Sequence, residues 1–404
     1  MTQKYNVKRI IMLVENNSFR RDVRVRQEAQ ALIRAGHHVS VICPGTKGQP
    51  GHEVFNEVNI YYYPSPYQGK GFLSYIFEYG YSLVAMFLLT IRIHIREGFD
   101  IIHAANPPDT TFFIAAFYKI FGKQFIFDHH DLAPEIFKVR FGTQRKIKLL
   151  VYLVLIYLEN LSCKLADHII ATNQSFKLIE MERGKVPSEK ITIVRNGPDL
   201  DRLKPTDPIS EIKQIGKTVI VYLGIMGFQD GVDRLLNALY LLVNKLERKD
   251  FFCVIAGGGD ALPSLKTQAD LLGLNGFIMF TDFIEPEKVS NYISTAEICV
   301  APESSNPLND RSTIIKILEY MALGKPIVAF DLPEHRVSAQ DAALFAHPDD
   351  DLDFARKIVT LMDNPEQRKK MGEAGRQRIE KELAWSYQVK YLLEVYEKLI
   401  GATT

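Results

Sequence analysis

APESSNPLNDRSTIIKILEYMALGKPIVAF (residues 301–330) sets a polar loop, an amphipathic helix and an apolar strand end to end. The helix is expected to open at Ser312 or Thr313 as N-cap and to stop at Gly324, with apolar residues at helical spacing between them. The strand that follows is short and continuously apolar, the pattern of a parallel strand buried on both faces. The same rhythm runs outward in both directions. On the C-terminal side of the chain TVIVYLG (218–224), FFCVIAG (251–257), GFIMFTD (276–282), AEICVAP (296–302), KPIVAFD (325–331) and ALFAHP (343–348) read as strands with helices between them. Earlier come RIIMLVE (9–15), HVSVICP (38–44), NIYYYP (59–64), DIIHAA (100–105), QFIFD (124–128), HIIATN (168–173) and ITIVRN (191–196). Between the first two, DVRVRQEAQALIRAG (22–36) has helical spacing, with Gly36 just past its end. The class is α/β with parallel sheets.

At 404 residues the chain is long enough for two domains with a core each. The Pro-, Lys- and Asp-rich stretch PDLDRLKPTDPISEIKQIGK (198–217) lacks a strong apolar period and is read as the interdomain linker. Residues 1–200 and 201–382 then form two Rossmann-like domains, with a helix at about 383–404 able to pack back on the first. Two such halves facing across a cleft would place the active site between them.

Hydrophobic residues make up 47% and charged residues 24%, which excludes disorder, collagen-like sequence and a small disulfide scaffold. Cys43, Cys163, Cys253 and Cys299 form no close pair, so a C-x-x-C cluster is excluded and a reducing compartment fits. The opening MTQKYNVKRIIMLVE has no signal-peptide pattern, and a cytoplasmic location is expected. A formal charge of +1 argues against a nucleic-acid partner. Split at residue 200, the charge becomes asymmetric: 25 Lys+Arg against 18 Asp+Glu before it (net +7), 24 against 30 after it (net −6). A basic half suits an anionic membrane surface or a phosphate-bearing substrate; compositional scatter is the alternative. That half carries two apolar segments, GFLSYIFEYGYSLVAMFLLTIRIHI (71–95) and KIKLLVYLVLIYLENL (146–161). Both are expected to fall short of the roughly 20 uninterrupted apolar residues of a spanning helix. They read as buried or amphipathic core helices, with contact of one of them to a bilayer surface as the second reading.

The helix after residue 312 offers free backbone N–H groups and a positive dipole end, which suit a diphosphate. Thr313, Lys316 and Glu319 lie three residues apart and share one face. The plainer reading is a capped amphipathic helix with a solvated Lys–Glu pair. GGGD (257–260) after a strand is either a phosphate loop or a tight turn. FDHHDLAPE (127–135) follows a strand and offers His130, Asp131 and Glu135. Adjacent histidines project differently and no third ligand is placed by spacing, so no metal is assigned there. Asn106 and Asp109 in HAANPPDTT (103–111) are candidates for substrate contact. Arg20, Arg21 and Arg24 sit between the first strand and its helix, where they could meet a phosphate or simply be solvated. Asp349, Asp350, Asp351 and Asp353 read as the solvated start of a helix. Nothing resembles a P-loop or a nucleophile elbow.

ILEYMALGKPIVAFD (317–331) resembles the C-domain signature of retaining GT-B glycosyltransferases, specifically glycosyltransferase family four. Five further stretches resemble family segments in order: RVRQEAQALIRAGHHVSVICP (24–44), IVRNGPDL (193–200), YLGIMGFQDGVDRLLNAL (222–239), VIAGGGD (254–260) and ELAWSYQVKYLLEVYEKL (382–399). The resemblance implies a GT-B fold of two Rossmann-like domains, residues 1–200 for the acceptor and 201–382 for the donor. It implies that Glu319, the second Glu of the family's Glu, seven residues, Glu signature, binds the donor ribose. The first Glu falls at Arg311, and the Gly–Phe–Gly after it is replaced by Ser312, Thr313 and Ile314. The Arg and Lys that clamp the donor diphosphate in the family fall at Ile225 and Asp230. Arg311 or Lys316 is expected to supply the missing charge. By the same resemblance, Gly227, Asp230, Gly257, Gly258 and Phe283 are expected to border the nucleotide. His130 resembles the N-domain histidine near the transferred sugar, and Arg20, Arg24, Asn106, Asp109 and Asp131 are the acceptor-side candidates.

The implied activity is transfer of a sugar from a nucleotide diphosphate sugar to an acceptor hydroxyl with retention and without a metal or other cofactor. The acceptor is expected to be a surface polysaccharide or lipid-linked saccharide met at the inner face of the membrane. A GT-B nucleotide-sugar epimerase and a non-catalytic saccharide-binding homologue are the alternatives.

Overall fold

Each apolar run read as a strand lies in one of two sheets. The computed structural model describes residues 7–46, 48–65 and 72–401. Residues 1–6, Gly71 and 402–404, which fall within segments discussed above, lie outside the described residues. The chain divides into unit 1, Met1–Arg195 with Gln388–Thr404, and unit 2, Asn196–Tyr387.

Unit 1 contains β1 (Arg9–Leu13), α1 (Val23–Arg34), β2 (His38–Gly45), β3 (His52–Phe55), β4 (Val58–Pro64), α2 (Phe72–Arg96), β5 (Ile101–Ala105), α3 (Phe112–Lys119), β6 (Gln124–His129), α4 (Ala133–Phe141), α5 (Lys146–Leu165), β7 (His168–Ala171), α6 (Gln174–Glu182) and β8 (Ile191–Ile193). Its sheet has the order β3-β4-β2-β1-β5-β6-β7-β8, parallel throughout except for the β3–β4 pair. β3 is an edge strand of alternating half-exposed and exposed residues, HEVF, with no apolar run to betray it. The α1 helix starts where the Asp22 carboxylate accepts the Val25 N–H at 3.0 Å.

Unit 2 runs through α7 (Ser210–Lys213), β9 (Thr218–Leu223), α8 (Val232–Asn244), β10 (Phe251–Ala256), α9 (Leu262–Leu271), β11 (Ile278–Phe280), α10 (Val289–Thr295), β12 (Ile298–Ala301), α11 (Ile315–Ala322), β13 (Ile327–Phe330), α12 (Pro333–Ala339), β14 (Ala343–Ala346), α13 (Asp351–Asp363), α14 (Pro365–Arg378) and α15 (Trp385–Gly401), whose later turns belong to unit 1. The six strands are all parallel in the order β11-β10-β9-β12-β13-β14. On α8, Val232, Leu235, Leu236, Leu239 and Leu242 recur at i, i+3, i+4, i+7 and i+10 and are all buried in the unit 2 core. Asp350 caps α13 through the Leu352 and Asp353 N–H groups, both at 3.0 Å.

Three features differ from the sequence expectation. The 198–217 segment is no free linker: Leu203 and Ile212 are buried in the unit 2 core, and Thr295 Oγ1 accepts the Ile209 N–H at 2.8 Å. Two apolar anchors outweigh a polar composition. The signature helix starts later than either expected cap, at Ile315, with Ile314 in the cap position. Ser312 instead spends its hydroxyl on the Leu308 carbonyl at 2.9 Å. Finally, α2 continues straight past Glu78, so Ser74–Arg96 is long and apolar enough to cross a membrane by length and composition. All four cysteines are free and buried.

Candidate active site

The order of unit 2 reverses between β9 and β12, and in open α/β sheets ligands bind at the carboxyl ends of strands at such a switch. Two loops flank it, Gly224–Gly231 after β9 and Pro302–Ile314 after β12. Gly231 has φ +68°, and a Cβ there would lie 2.0 Å from the Pro302 carbonyl oxygen, so the loops touch backbone to backbone only with glycine. Asn309 ties them together, donating from Nδ2 to the carbonyls of Gln229 and Ser304, each at 2.9 Å. Gly227 donates its N–H to Asp230 Oδ2 at 2.9 Å, which closes the first loop on itself.

Lys316 enters this crevice from the first turn of α11. It is buried, and its Nζ lies 2.5 Å from Glu303 Oε1, 3.0 Å from the Tyr222 hydroxyl and 3.7 Å from Asp230 Oδ1. Burial alone would favour the neutral amine, but Glu303, then Tyr222 and Asp230, hold the ammonium protonated beyond its ordinary range. The solvated Lys–Glu pair read from spacing is therefore overturned, because the lysine turns inward onto a carboxylate thirteen residues upstream. Asp230 is pushed up by burial, against the pull of Lys316. Behind Glu303, the buried His335 hydrogen-bonds the Phe330 carbonyl through Nδ1 at 2.9 Å, and its Nε2 stands 3.7 Å from Glu303 Oε2. Burial pushes the His335 pKa down. Glu319, one turn beyond Lys316, is half-buried, and burial lifts its pKa to about 7 against the opposing pull of Arg202 and Lys316.

Other candidates lie around this core. The Gly257 N–H reaches the Asp282 carbonyl at 3.2 Å, the Gly258 carbonyl accepts from Met226 at 2.8 Å, and Phe283 beside Gly258 is 72% exposed. Arg311 folds back on its own loop, donating from Nη1 to the Pro307 carbonyl at 2.7 Å. Of the two cations expected to replace the missing clamp, Lys316 sits on Glu303 and Tyr222. Glu303, Tyr222 and His335 were missed by sequence reasoning. Glu303 sits at a strand end next to the signature loop, which was the one available signal.

In unit 1 the order reverses between β1 and β5. At the ends of β5 and β6, Asn106 is fully buried and saturated. Its Oδ1 accepts the N–H groups of His130 (2.7 Å) and Asp131 (3.1 Å), and its Nδ2 donates to Asp109 Oδ1 (2.8 Å) and the Asp131 carbonyl (2.7 Å). Asn106 is therefore a positioning residue for the His130 loop rather than an acceptor contact. Its replacement by Ala is expected to destabilise unit 1 by about 1–3 kcal/mol for each buried group left unpaired, measured by chemical denaturation of the full chain.

Arg24 is not on the loop after β1 but inside α1, buried. Its Nη2 reaches Asp128 Oδ1 at 2.8 Å, Nη1 the Val194 carbonyl at 2.8 Å, and Nε both His130 Nε2 at 2.9 Å and Glu28 Oε1 at 3.1 Å. Burial would raise the Asp128 pKa, but Arg24 and His130 hold it well below the ordinary carboxylate range, whereas burial pushes Glu28 well up. Glu28, Asp128 and His130 converge closely enough for a metal. The Arg24 guanidinium already stands among all three as their cation. His103 adds Nε2 at 3.2 Å from Asp128 and is held through Nδ1 by the Tyr396 hydroxyl of α15 at 2.6 Å.

Next to His130, the buried His129 hydrogen-bonds Glu180 at 2.9 Å, and Arg183 clamps Glu135 (2.7 Å) and Glu159 (2.6 Å). Burial would lower the His129 pKa, but Glu180, Glu159 and Asp109 raise it to about 9. Burial pushes Asp109 up to about 6 and raises half-buried Asp131 as well. Arg20 stays outside this group, pairing with Glu53 of β3 at 3.1 Å.

Both halves match known families. Residues 22–202 match the model described as Glycosyltransferase Family 4, and residues 204–378 the one described as Glycosyl transferases group 1. The chain is 22% identical over 270 residues to the alpha-maltose-1-phosphate synthase of Mycolicibacterium smegmatis, covering 61% of this chain and 67% of that one. It is 26% identical over 206 residues to the phosphatidyl-myo-inositol mannosyltransferase of Mycobacterium leprae, covering 50% and 52%. The fold is shared with sucrose-phosphate synthase of Thermosynechococcus elongatus, with a TM-score of 0.81, 18% identity and coverage of 98% and 100%. Anabaena HepE, crystallised with UDP-glucose, shares it with a TM-score of 0.71 and 15% identity, over 98% and 100% of the two chains. With two parallel-sheet units matched in order along the sequence, the chain belongs to the family-four, group 1 glycosyltransferases of the GT-B fold.

Proposed function

We propose that this glycosyltransferase takes its sugar from a nucleotide diphosphate donor on unit 2 and delivers it, with retention, to a saccharide hydroxyl on unit 1. The observation that carries the donor side is the buried Lys316 ammonium at the β9/β12 switch, beside the N-terminus of α11. An ammonium has three N–H donors. Tyr222 and Glu303 take two; the third faces Asp230 at 3.7 Å, beyond hydrogen-bond length, and is assigned to a donor phosphate oxygen. Gly227, Gly257 and Gly258 let backbone approach the nucleotide, Phe283 offers an exposed ring to the base, and Glu319 receives the ribose hydroxyls. Ser312, Thr313, Ile314 and Arg311 line the approach to α11. The UDP-glucose complex of HepE supports a nucleotide sugar here too.

In the transfer, the bond from the anomeric carbon to the diphosphate oxygen breaks and the acceptor oxygen bonds to the same face. The acceptor proton passes to the departing phosphate oxygen. Loop N–H groups, the α11 dipole and Lys316 meet the charge that develops there, so this reading invokes no metal. His130 positions the sugar, with Asp131 and Asp109 near it. A lipid-linked or surface saccharide met at the membrane is the acceptor class, supported by the phosphatidyl-myo-inositol in the name of the mycobacterial relative. Nucleic acid has no part in this reading.

The test is a screen of nucleotide sugars by thermal stabilisation of the protein, followed by titration of the one that binds. With Glu319 near 7, its carboxylate is ionised above that pH and protonated below it. Affinity is expected to rise roughly tenfold from pH 6 to pH 8, because only the ionised form accepts both ribose hydroxyls. Glu319→Gln is expected to bind weakly at both pH values with no such slope. A wild-type affinity flat across that range would remove Glu319 from the ribose.

A further inference from the structure

Helix α2 is apolar on both sides, not only on the one it buries. Its buried stripe is Ser82, Met86, Thr90 and Ile93, and its exposed stripe is Phe77, Tyr81, Val84, Leu88 and Ile95, interrupted by Arg92. A surface helix of a globular domain normally turns charged and polar residues outward instead. α5 likewise exposes Ile147, Leu150, Leu153 and Val154 along its first half, while Glu159, Ser162 and Cys163 in its last turns are buried. Between them α3 exposes Phe113 and Phe117, with Ile120, at 80%, and Phe121 exposed just past its end. The three helices are contiguous: Phe87 of α2 meets Phe117 of α3 edge-on at 5.2 Å, and Lys119 of α3 donates to the Leu165 carbonyl of α5 at 3.1 Å. Single exposed apolar residues are ordinary, but aligned stripes across three neighbouring helices make a patch that marks an interaction surface.

Charge selects the partner. Between Phe72 and Leu165 the acids Asp109, Asp128, Glu135 and Glu159 are buried, and Glu78, Asp100 and Asp131 partly so, which leaves Glu97 as the exposed acid. Arg92, Arg96, Lys138, Arg140, Arg145, Lys146 and Lys164 are all exposed. A second copy of this face would set basic rim against basic rim. An anionic lipid surface complements both the apolar stripe and the rim.

We propose that the α2–α3–α5 face docks unit 1 flat on an anionic bilayer, with the apolar stripes at the acyl boundary and the cations on lipid phosphates. α2 lies on the membrane rather than crossing it, because Ser82 donates to Glu15 Oε1 at 2.9 Å inside unit 1 and the buried stripe seats the helix there. Glu15 stands just beyond the carboxyl end of β1, at the switch of the unit 1 sheet, so docking holds that edge beside the lipid surface. This last step rests on the membrane-borne acceptor proposed above.

The test floats the full chain on phosphatidylcholine vesicles with or without phosphatidylglycerol. Partition is expected to be about tenfold or more stronger on the anionic vesicles and to fall as salt is added. The double variant Leu88→Glu/Leu153→Glu is expected to lose that binding by a similar factor while keeping the wild-type melting temperature and nucleotide-sugar affinity. Wild-type protein that stays off both vesicle types, or a folded double variant that floats like wild type, overturns the proposal. So does a solution dimer of the wild type that the double variant dissolves, since the face would then belong to a second copy. Protein that floats as expected, yet glycosylates soluble and lipid-linked acceptors equally whether docked or not, keeps the docking face and removes the membrane-borne acceptor.

Discussion

Lys316→Met is expected to abolish nucleotide-sugar binding and to cost unit 2 about 3–5 kcal/mol, because it strands the Glu303 carboxylate in the interior. Glu303 is 1% exposed, and the same substitution leaves its Oε1 facing a methyl group. Adding Glu303→Gln removes the stranded charge, and the double variant is expected to recover most of the stability. It should not recover the donor, since no ammonium remains for the phosphate. Calorimetric unfolding read together with nucleotide-sugar titration separates the two effects. If the double variant regains both stability and donor affinity, Lys316 only stabilises the loop. The alternative arrangement, in which Arg311 binds the diphosphate, predicts instead that Arg311→Ala alone eliminates binding.

Arg24→Leu carries the comparable effect in unit 1. One guanidinium serves Asp128, Glu28, His130 and the Val194 carbonyl, so its loss leaves two buried carboxylates without their cation. A loss of about 3–5 kcal/mol is expected. Arg24→Lys is expected to rescue little of it, because an ammonium on a flexible stem cannot reproduce the fork. Transfer should fall by an order of magnitude or more while donor binding on unit 2 is kept, since His130 loses one of the groups that fix its ring. Acid sensitivity adds an independent readout. The Asp128 pKa is depressed in the fold, so its contribution is present above the unfolded value near 4 and is lost as pH falls through the folded one. Wild-type unit 1 is therefore expected to lose stability more steeply below pH 4 than Arg24→Leu, followed by hydrogen exchange across α1 and β6.

The clusters behind these two effects differ in how far the sequence reveals them. Lys316 and Glu319 were legible because both sit on one helix at spacing three, next to a signature. Glu303 was not, since its pairing with Lys316 depends on how the loop after β12 folds back over α11. His103 and Tyr396 are 293 positions apart and meet only because α15 returns to unit 1. Asn106 was picked out as polar and at a strand end, but nothing in the sequence says that the chain itself uses all four of its hydrogen bonds.

The sequence by itself determined the parallel strands, the helices between them and the family, because strands buried on both faces must be apolar end to end and signature motifs are contiguous. It marked α2 and α5 as apolar, yet an apolar helix can turn either stripe inward. Only the tertiary structure decided that Ser82, Thr90 and Glu159 face the interior while Leu88 and Leu153 face out. It also decided which carboxylate neutralises which cation. Burial and charge pairing are set by elements distant in sequence, and no local pattern encodes them.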